Sequence, residues 1–470
     1  MVGRLPRRAA VRLAATCTLL VAAVGSASAH GIVTRFDAPV PLWLVYLGAG
    51  LTVAVSAALA AFLDATPAPG ARIGSLPPGV ASATRVAGRV GFLLAFVTVL
   101  FYGIVGPRTP TGNFATIFTW SVWLKGVGIV AVLAGSPWRV LSPWRTAYDA
   151  VCRLEGSEIA ARRYPAWLGR WPAFVGFLAL VGVIENLTRV PQRPAATAAV
   201  VAGYALLLFA GGLVFGRSWF DRADALSVLY GLLGRVAPVS VRRDDGAAVF
   251  TVRYPWDGCT RAVDDRATAA FVVAAIYTVT FDGFAESPAY RGIYFAVRDA
   301  LPADATASLL LYVVGLAAFL AAFSGIAALI VWLLRSEPPR ATAGRDARPE
   351  PDGVSDAVAL LLAPTLAPIL AGYEVAHNAA YVLTNAGRLP RLLGLDAVDP
   401  LWWLSLPAFW GLQVVCIVGG HVVAVVAADA VTTRLAPTDR IARASHAPHL
   451  ALMIGYTVVS LWVISLPVVG

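Results

Sequence analysis

Residues 114–134 read FATIFTWSVWLKGVGIVAVLA, an apolar run whose only charged residue, Lys125, lies near its middle. About 20 apolar residues in a helix are long enough to cross roughly 30 Å of hydrocarbon. The backbone of a span must satisfy its own hydrogen bonds, so the run is expected to be helical. The stretch therefore predicts a transmembrane helix, and the lysine inside it calls for a partner or a polar cavity.

The composition of the whole chain agrees with this interpretation. Of its 470 residues 58% are hydrophobic and 14% are charged, which leaves too little polar surface for a water-soluble globule of this length. The net charge is +10, but the arginines lie mostly in loops between apolar runs, where they set membrane orientation. We therefore predict a polytopic membrane protein whose partner is the lipid bilayer and not nucleic acid.

Ten apolar segments are long enough to span the bilayer, and all are expected to be helices. The predicted fold is an all-α polytopic membrane protein of about ten transmembrane helices after a signal peptide. The segments are 40–62, 87–106, 114–134, 172–190, 196–216, 268–285, 305–334, 354–386, 401–428 and 450–468.

The first 29 residues predict a secretory signal peptide: arginines, then an apolar run, then Ala27-Ser28-Ala29. Cleavage there makes His30 the new amino terminus, whose amine and imidazole can chelate a metal. An uncleaved first helix is the alternative, and it also delivers His30 outside. The arginine bias of alternate loops predicts a multi-pass protein of the inner (cytoplasmic) membrane, with both termini of the mature chain outside.

The segments divide into a first bundle of about seven spans at 30–335, a polar Pro-rich linker at 336–353, and a three-span unit at 354–470. The first bundle includes a cytoplasmic loop at 217–267, which predicts an amphipathic helix on the inner leaflet (Leu226, Leu229, Leu233) and a β-hairpin that turns at Asp245-Gly246. A Ser-Pro-Trp-Arg unit occurs at 136–139 and again at 142–145, and we interpret both copies as interface anchors. The four cysteines, Cys17, Cys152, Cys259 and Cys416, show no spacing typical of a disulfide or zinc site.

The strongest local signal inside the spans is AGYEVAHNAAYVLTN, residues 371–385. Glu374, His377, Asn378, Tyr381 and Asn385 recur at steps of three and four, so one helical face carries them all. A Glu-x-x-His pair on one helix and His421 on the next supply the ligand types of a two-histidine, one-carboxylate site.

We therefore predict that Glu374, His377 and His421, with His30 as a further candidate ligand, hold one divalent metal such as zinc, iron or copper. Topology places His421 deeper than the other two, which is an obstacle to a shared ion. Packing between helices explains the same residues without a metal. Gly419 and Gly420 are expected to let a neighbouring helix approach beside His421.

Lys125 is the only lysine in the chain, and Glu185 or Asp282 is its expected partner. Such a pair is interpreted equally well as structural or as part of a substrate or proton site. Asp282, near the outer end of the sixth span, either joins an outward-facing cavity or caps its helix. Lys125 and Asp282 are the candidate catalytic residues.

Several motifs in order, AHGIVTRFDAPVPLW, the Pro-Trp-Arg loop, TFDGF, GYEVAHNAAYVL and GGHVVAVVAAD, resemble a family of multi-span bacterial and archaeal membrane proteins that carries the label fenitrothion hydrolase. The resemblance implies hydrolysis of a phosphotriester, in which water attacks phosphorus and an aryloxide leaves. The family has Ala-His-Asp near the end of the ninth span, where this chain has Ala428-Asp429-Ala430. The resemblance therefore carries no histidine to that position and leaves Asp429 as a candidate ligand.

Three functions follow as hypotheses. The resemblance implies a metal-dependent hydrolase of small apolar phosphotriesters or related esters, with metal-bound water that Asp282 orients and Lys125 stabilising charge on the phosphoryl oxygen. Ten spans divide into two sets of five, whose opposite orientation is typical of inverted-repeat transporters, so a transporter or metal-handling permease is the alternative. A scaffold or assembly factor for a membrane complex is the third.

Overall fold

The computed structural model describes residues 42–60, 70–285, 287–300, 304–336 and 351–465. The predicted signal peptide, His30 and Cys17 lie outside the described residues, as does most of the predicted linker. A helix begins at Pro351, so the linker predicted at 336–353 ends earlier along the chain than the sequence predicts.

Eight described helices are long and apolar enough to cross a membrane. They are Pro78–Val105, Phe114–Ala134, Ala166–Glu185, Pro194–Phe215, Arg266–Ala285, Ala307–Arg335, Asp356–Leu392 and Leu406–Leu435. Each coincides with one of the ten predicted segments. The other two segments, 40–62 and 450–468, also fall on helices. Among the described residues neither helix is one of the eight candidate spans, although the first contains a shorter apolar stretch, Leu47–Ser56. The count of ten is therefore not confirmed.

The chain is mostly helical, and the labels used below follow the chain order. The helices are α1 (Leu42–Ala60), α2 (Pro78–Val105), α3 (Phe114–Ala134), α4 (Trp138–Leu141), α5 (Pro143–Glu155), α6 (Ala166–Glu185), α7 (Pro194–Phe215), α8 (Arg217–Arg222), α9 (Ala225–Leu233), α10 (Arg266–Ala285), α11 (Pro288–Ala300), α12 (Asp304–Arg335), α13 (Pro351–Leu362), α14 (Ala367–Ala386), α15 (Leu406–Leu435) and α16 (Asp439–Ser465). A 3₁₀ turn, Ala363–Leu366, joins α13 to α14.

The spans differ in where they lie in the bundle. α3, α10 and the span that contains α14 are mostly buried, whereas only a minority of the residues of α2, α6, α7 and α12 is fully buried. In water such exposed apolar surface would be costly, but against lipid tails it is favourable. The buried polar residues are therefore expected on the three central spans, and the ionisable side chains described below are concentrated there.

The predicted β-hairpin is confirmed. Strands β2 (Val239–Asp244) and β3 (Ala247–Val252) pair antiparallel, and the turn residues Asp245 and Gly246 both have positive φ, as a tight two-residue hairpin turn requires. A strand that the sequence did not predict, β1 (Ala71–Leu76), pairs with the other edge of β3, so the sheet order is β1-β3-β2.

The amphipathic helix that the sequence predicts on the inner leaflet is present as α9. The prediction that it lies at the membrane surface is wrong. Leu226, Leu229 and Leu233 are buried, and so are Val228 and Tyr230 on other faces of the same helix. α9 packs against α3, α6, α10 and α14, so the loop between α7 and α10 turns back into the bundle. Non-spanning backbone at this depth is tolerated because protein surrounds it.

Candidate functional site: a buried charge cluster

Two charged residues stand in wide, π-helical turns of otherwise ordinary spans. The segment Ile117–Gly126 of α3 is π-helical and carries Lys125 in its last turn, and the segment Leu178–Glu185 of α6 is π-helical and ends on Glu185. Such turns are rare and frequently mark functional sites, because they displace side chains from the regular helical positions. Both charged side chains are carried by these two segments.

Of the two partners predicted for Lys125, Glu185 is the one in contact. Lys125 Nζ lies 3.0 Å from Glu185 Oε1, and the two side chains are only 10% and 14% exposed. Glu185 Oε2 is buried with no hydrogen-bond partner among the described residues. A half-satisfied carboxylate at a buried ion pair can accept a further donor.

Glu374 lies on the other side of the same lysine. Its carboxylate interacts electrostatically with Lys125, and its Oε2 accepts a hydrogen bond of 3.0 Å from Asn378 Nδ2 one turn later on α14. Its Oε1 lies against Gly128 of α3, where an added Cβ would come within 3.0 Å. Glycine at this position therefore makes room for the carboxylate between two central spans.

His377 and Asp282 form the third pair. His377 Nε2 lies 3.3 Å from Asp282 Oδ2, with side chains 27% and 33% exposed, so this pair is more accessible than the lysine pair. Asp282 stands near the end of α10 and also interacts electrostatically with Lys125. We call the five residues Lys125, Glu185, Asp282, Glu374 and His377 the charge cluster.

The charge cluster has an excess of negative charge. Three carboxylates face one ammonium and one imidazole, so at least one negative charge is uncompensated even when the imidazole is protonated. Of the three carboxylates in the cluster, Glu374 is the one that forms no ion pair within 4 Å among the described residues, although Lys125 and His377 both attract it. An uncompensated charge is costly at membrane depth, which favours uptake of a proton or another cation at Glu374.

The three residues predicted to share a metal do not converge. α14 and α15 cross at Gly372 and Gly420, where an added Cβ would lie 2.4 Å from Cys416 O or 2.5 Å from Pro368 O. The predicted close approach is thus confirmed at Gly420 but not at Gly419, which has open space around it.

At this crossing His421 is close in depth to Glu374 and differs from it in direction. Glu374 faces α3, while His421 faces α16, where its ring lies 5.7 Å from that of Tyr456. His421 Nδ1 lies 2.8 Å from Ile417 O of its own helix. Among the described residues no three His, Cys, Asp or Glu side chains are arranged to hold a metal, and His30 lies outside those residues, so the predicted metal site stays a prediction.

The Ser-Pro-Trp-Arg repeat has a different role from the predicted interface anchors. Trp138 and Trp144 are buried, and their indole N–H groups donate to Asp224 Oδ2 at 2.8 and 2.9 Å. The arginines of both copies, Arg139 and Arg145, contact Asp221. The two copies thus converge on one segment, from which α9 begins.

Asp224 is the N-cap of α9 and is held entirely by neutral donors. Its Oδ1 accepts from Tyr204 OH at 2.9 Å and from the backbone N–H of Leu226 at 3.0 Å. Burial is the largest effect on this carboxyl and raises the pKa of Asp224, against the opposing hydrogen bonds from the two indoles and Tyr204. Sequence reasoning missed Asp224, although the paired tryptophans were the signal for a shared acceptor.

A polar cavity of about 250 Å³ adjoins the same helix. Ser227, Gly231 and Leu232 of α9 line it, together with Arg170 and Asp264. Leu233 of α9 instead contacts the Gly128 position beside Glu374, and Tyr230 OH donates to the carbonyl groups of Trp123 and Leu124, next to Lys125. α9 therefore stands between this cavity and the charge cluster.

A second group of polar residues also escaped sequence reasoning. His446 and His449 of α16 are buried, and His446 Nδ1 lies 3.3 Å from Asp429 Oδ1. Their spacing in His-Ala-Pro-His places both rings on one helical face, although residues 429–449 fall between the ninth and tenth predicted segments. The predicted candidate ligand Asp429 thus contacts a histidine of the neighbouring helix.

No family model, curated protein or solved structure matches the chain. The class of the protein therefore rests on the helices and the buried charges themselves. They indicate an α-helical membrane protein with eight candidate spans and with ionisable residues on the central ones.

Proposed function

We propose that the protein is a proton-coupled membrane permease and that the charge cluster is its proton-binding site. The observation that carries the proposal is the uncompensated negative charge of Glu374 between the Lys125–Glu185 and His377–Asp282 pairs. Ionisable residues at this depth are costly and typically mark proton relays and substrate pathways.

The mechanism follows from the pairs. A buried ion pair becomes its neutral counterpart when one proton moves from the cation to the carboxylate, and the carboxylate of either pair can instead take up one further proton from outside, so both pairs can pass on or take up a proton without large movement. Protonation of Glu374 removes its attraction for Lys125 and leaves the ammonium to Glu185 and, at longer range, Asp282. The π-helical turns that carry Lys125 and Glu185 supply two elements that can return to regular helix, which would shift both side chains.

The position of α9 supports two-sided access. The His377–Asp282 pair is partly exposed at one side of the cluster, while the polar cavity at Arg170 and Ser227 lies beyond α9. Movement of α9 would join that cavity to Glu374, and the Tyr230 hydrogen bonds to Trp123 and Leu124 hold it in place. Alternating access needs such a barrier between two aqueous compartments.

Proton flux in sealed vesicles tests the proposal. The purified protein is reconstituted with an internal pH-sensitive dye, and a potassium diffusion potential is imposed with valinomycin. We expect wild-type flux well above that of empty vesicles and a reduction of about tenfold or more in Glu374→Gln, because the amide cannot exchange a proton.

Glu155→Gln is the matched control, since Glu155 is an exposed glutamate at the end of α5. Its flux should equal that of wild type. Wild-type flux no greater than that of empty vesicles, or Glu374→Gln flux equal to that of the control, would reject the proposal.

The His377–Asp282 pair favours a second candidate function, ester or phosphotriester hydrolysis. A carboxylate that holds an imidazole is a common general-base arrangement, in which the imidazole takes a proton from attacking water. The pair is also the most accessible part of the charge cluster. The test is release of nitrophenolate from an apolar aryl phosphotriester by protein in detergent. Turnover that is lost in His377→Ala and kept in His421→Ala would support hydrolysis, and its absence in wild type would reject it.

A further inference from the structure

The second polar group lies on α16, where the polar face is turned into the protein. Ser445, His446 and His449 are buried, and Thr457 and Ser460 continue the same face two to four turns later. In a helix next to lipid this is the reverse of the usual amphipathic arrangement, and it indicates a polar path within the bundle.

Each of the two histidines on this face has a partner at one of its two ring nitrogens. His446 Nδ1 pairs with Asp429 of α15 at 3.3 Å, and His449 Nε2 lies 3.4 Å from Thr365 Oγ1 in the 3₁₀ turn before α14. The Thr365 hydroxyl donates to Leu362 O at 2.7 Å, so its oxygen accepts from His449 Nε2–H. We call Thr365, Asp429, His446 and His449 the histidine cluster.

The other ring nitrogens are buried without partners. His446 Nε2, His449 Nδ1 and the neighbouring Ser445 Oγ have no hydrogen-bond partner among the described residues. Buried polar atoms are nearly always satisfied, so three of them on adjacent turns indicate an exchangeable proton or a water that bridges them. Pro448 between the two histidines adds to this polarity, because it has no N–H for the carbonyl group one turn earlier.

The histidine cluster and the charge cluster lie at different depths of the bundle. Thr365 and His377 are separated by about three turns of helix, or roughly 18 Å, which is more than half the thickness of the hydrocarbon. Between them stand His421 and Tyr456, whose rings are in contact, and the Tyr456 hydroxyl is hydrogen-bonded to Thr280 of α10. Thr280 precedes Asp282 by two residues on α10 and lies on a different face of that helix, so these polar groups lie between the two clusters in depth.

We propose that His446 and His449 form a second proton-binding site, which exchanges protons with the opposite end of the bundle from the charge cluster. This proposal deepens the proposed permease and rests on it for its transport role, whereas proton binding itself is tested independently. A proton taken up at His446 Nε2 makes an imidazolium that Asp429 stabilises. Its transfer to His449 Nδ1, directly or through one water, returns His446 to neutral and makes His449 the imidazolium.

The chain has five histidines, so nitrogen NMR of histidine-labelled protein in nanodiscs can follow each ring. Signals are assigned with His→Gln variants of His30, His377, His421 and His449, which leave the remaining signal to His446. Between about pH 8 and about pH 5 we expect the His446 signal to change from the neutral to the imidazolium form. In Asp429→Asn the change should move to lower pH, because the anion that stabilises the imidazolium is gone.

Two results would overturn the site: both rings staying neutral throughout that range in folded protein, or a His446 signal that Asp429→Asn leaves unchanged. These readouts do not depend on transport. In the vesicle assay His449→Gln should lower proton flux about tenfold, while Gly455→Ala on the same helix, where an added Cβ meets open space, should not.

If wild type gives no flux, the permease proposal fails and the NMR titration alone decides the proton site. If wild type gives proton flux that His449→Gln does not lower, the role of the two histidines as a proton relay in transport is rejected, even if the NMR shows that both rings titrate.

Discussion

Asp224 shows how a single buried carboxylate can fix the path of the chain. Two indoles, a phenol and a backbone N–H all donate to it, and no cation contacts it among the described residues. Its loss would leave several buried donors without an acceptor at once, and each such donor costs about 1–3 kcal/mol. The start of α9 therefore depends on one side chain.

We predict that Asp224→Ala lowers the free energy of unfolding by about 3 kcal/mol or more, because four donors lose their acceptor. The measurement is denaturant-induced unfolding in mixed micelles, followed by tryptophan fluorescence. Asp221→Ala is the control: Asp221 is about one-third exposed and pairs with arginines near the surface, where such pairs are worth at most about 1 kcal/mol. Equal losses in the two variants would show that the Asp224 hydrogen bonds do not anchor α9.

Lys125 and Glu185 offer a test of mutual dependence. Breaking a buried ion pair on one side leaves an uncompensated charge and costs about 3–5 kcal/mol, whereas removing both members is often neutral. We therefore expect Lys125→Met to unfold far more easily than wild type and Lys125→Met/Glu185→Gln to recover most of the loss. A double variant no more stable than the lysine variant would mean that Glu374 or Asp282, and not Glu185, is the main partner.

At the scale of elements, the crossing of α14 and α15 depends on glycine. The two backbones approach so closely at Gly372 and Gly420 that neither position has room for a Cβ, which brings Glu374 and His421 to similar depth on opposite sides of the crossing.

Gly420→Ala should therefore destabilise the protein by about 1–3 kcal/mol through overpacking. Gly419→Ala, one residue away with nothing within 4 Å, should be neutral or slightly stabilising, since alanine is the better helix former. Thermal unfolding of the two variants in the same detergent measures the difference. Similar melting temperatures of Gly420→Ala and Gly419→Ala would contradict the close approach of α14 and α15 at Gly420.

The element most unlike its prediction is α9, and its burial can be measured by thiol labelling. We expect Gly231→Cys, on the face that lines the polar cavity, to react with a soluble maleimide, and Leu233→Cys, which is buried beside Gly128, to be protected. The native background should be low at Cys259, because burial raises the pKa of its thiol to about 12. Rapid labelling of Leu233→Cys in folded protein would contradict the burial of α9 and support its predicted position at the membrane surface.

For the whole molecule, alternate connections between antiparallel spans lie at the same end of the bundle, so the arginine-rich connection between α3 and α6 and the hairpin of β2 and β3 between α9 and α10 are expected at one end. The positive-inside rule predicts that this end faces the cytoplasm. We expect Arg243→Cys in the hairpin to react with an impermeant maleimide only after the cells are permeabilised, and Thr111→Cys between α2 and α3 to react in intact cells. The reverse pattern would invert the predicted orientation.

The sequence by itself determined the mostly helical class, the eight helices that are long and apolar enough to cross a membrane, and the hairpin, and it limited the partner of Lys125 to Glu185 or Asp282. These depend on local properties, namely apolar length, alternation, turn residues and the cost of a buried charge, which any folded form of the chain must respect. Glu374 and Lys125 could be chosen as candidates for the same reason.

Tertiary structure decided which polar residues meet. Spacing along one helix fixes the face on which Glu374, His377 or His421 lies but not the neighbouring helix that this face contacts. At the glycine crossing of α14 and α15, Glu374 and His421 therefore face different helices. The burial of α9 and the convergence of the two tryptophans on Asp224 likewise depend on contacts between residues about 80 positions apart. Such contacts are set by the packing of whole helices, which no local pattern encodes.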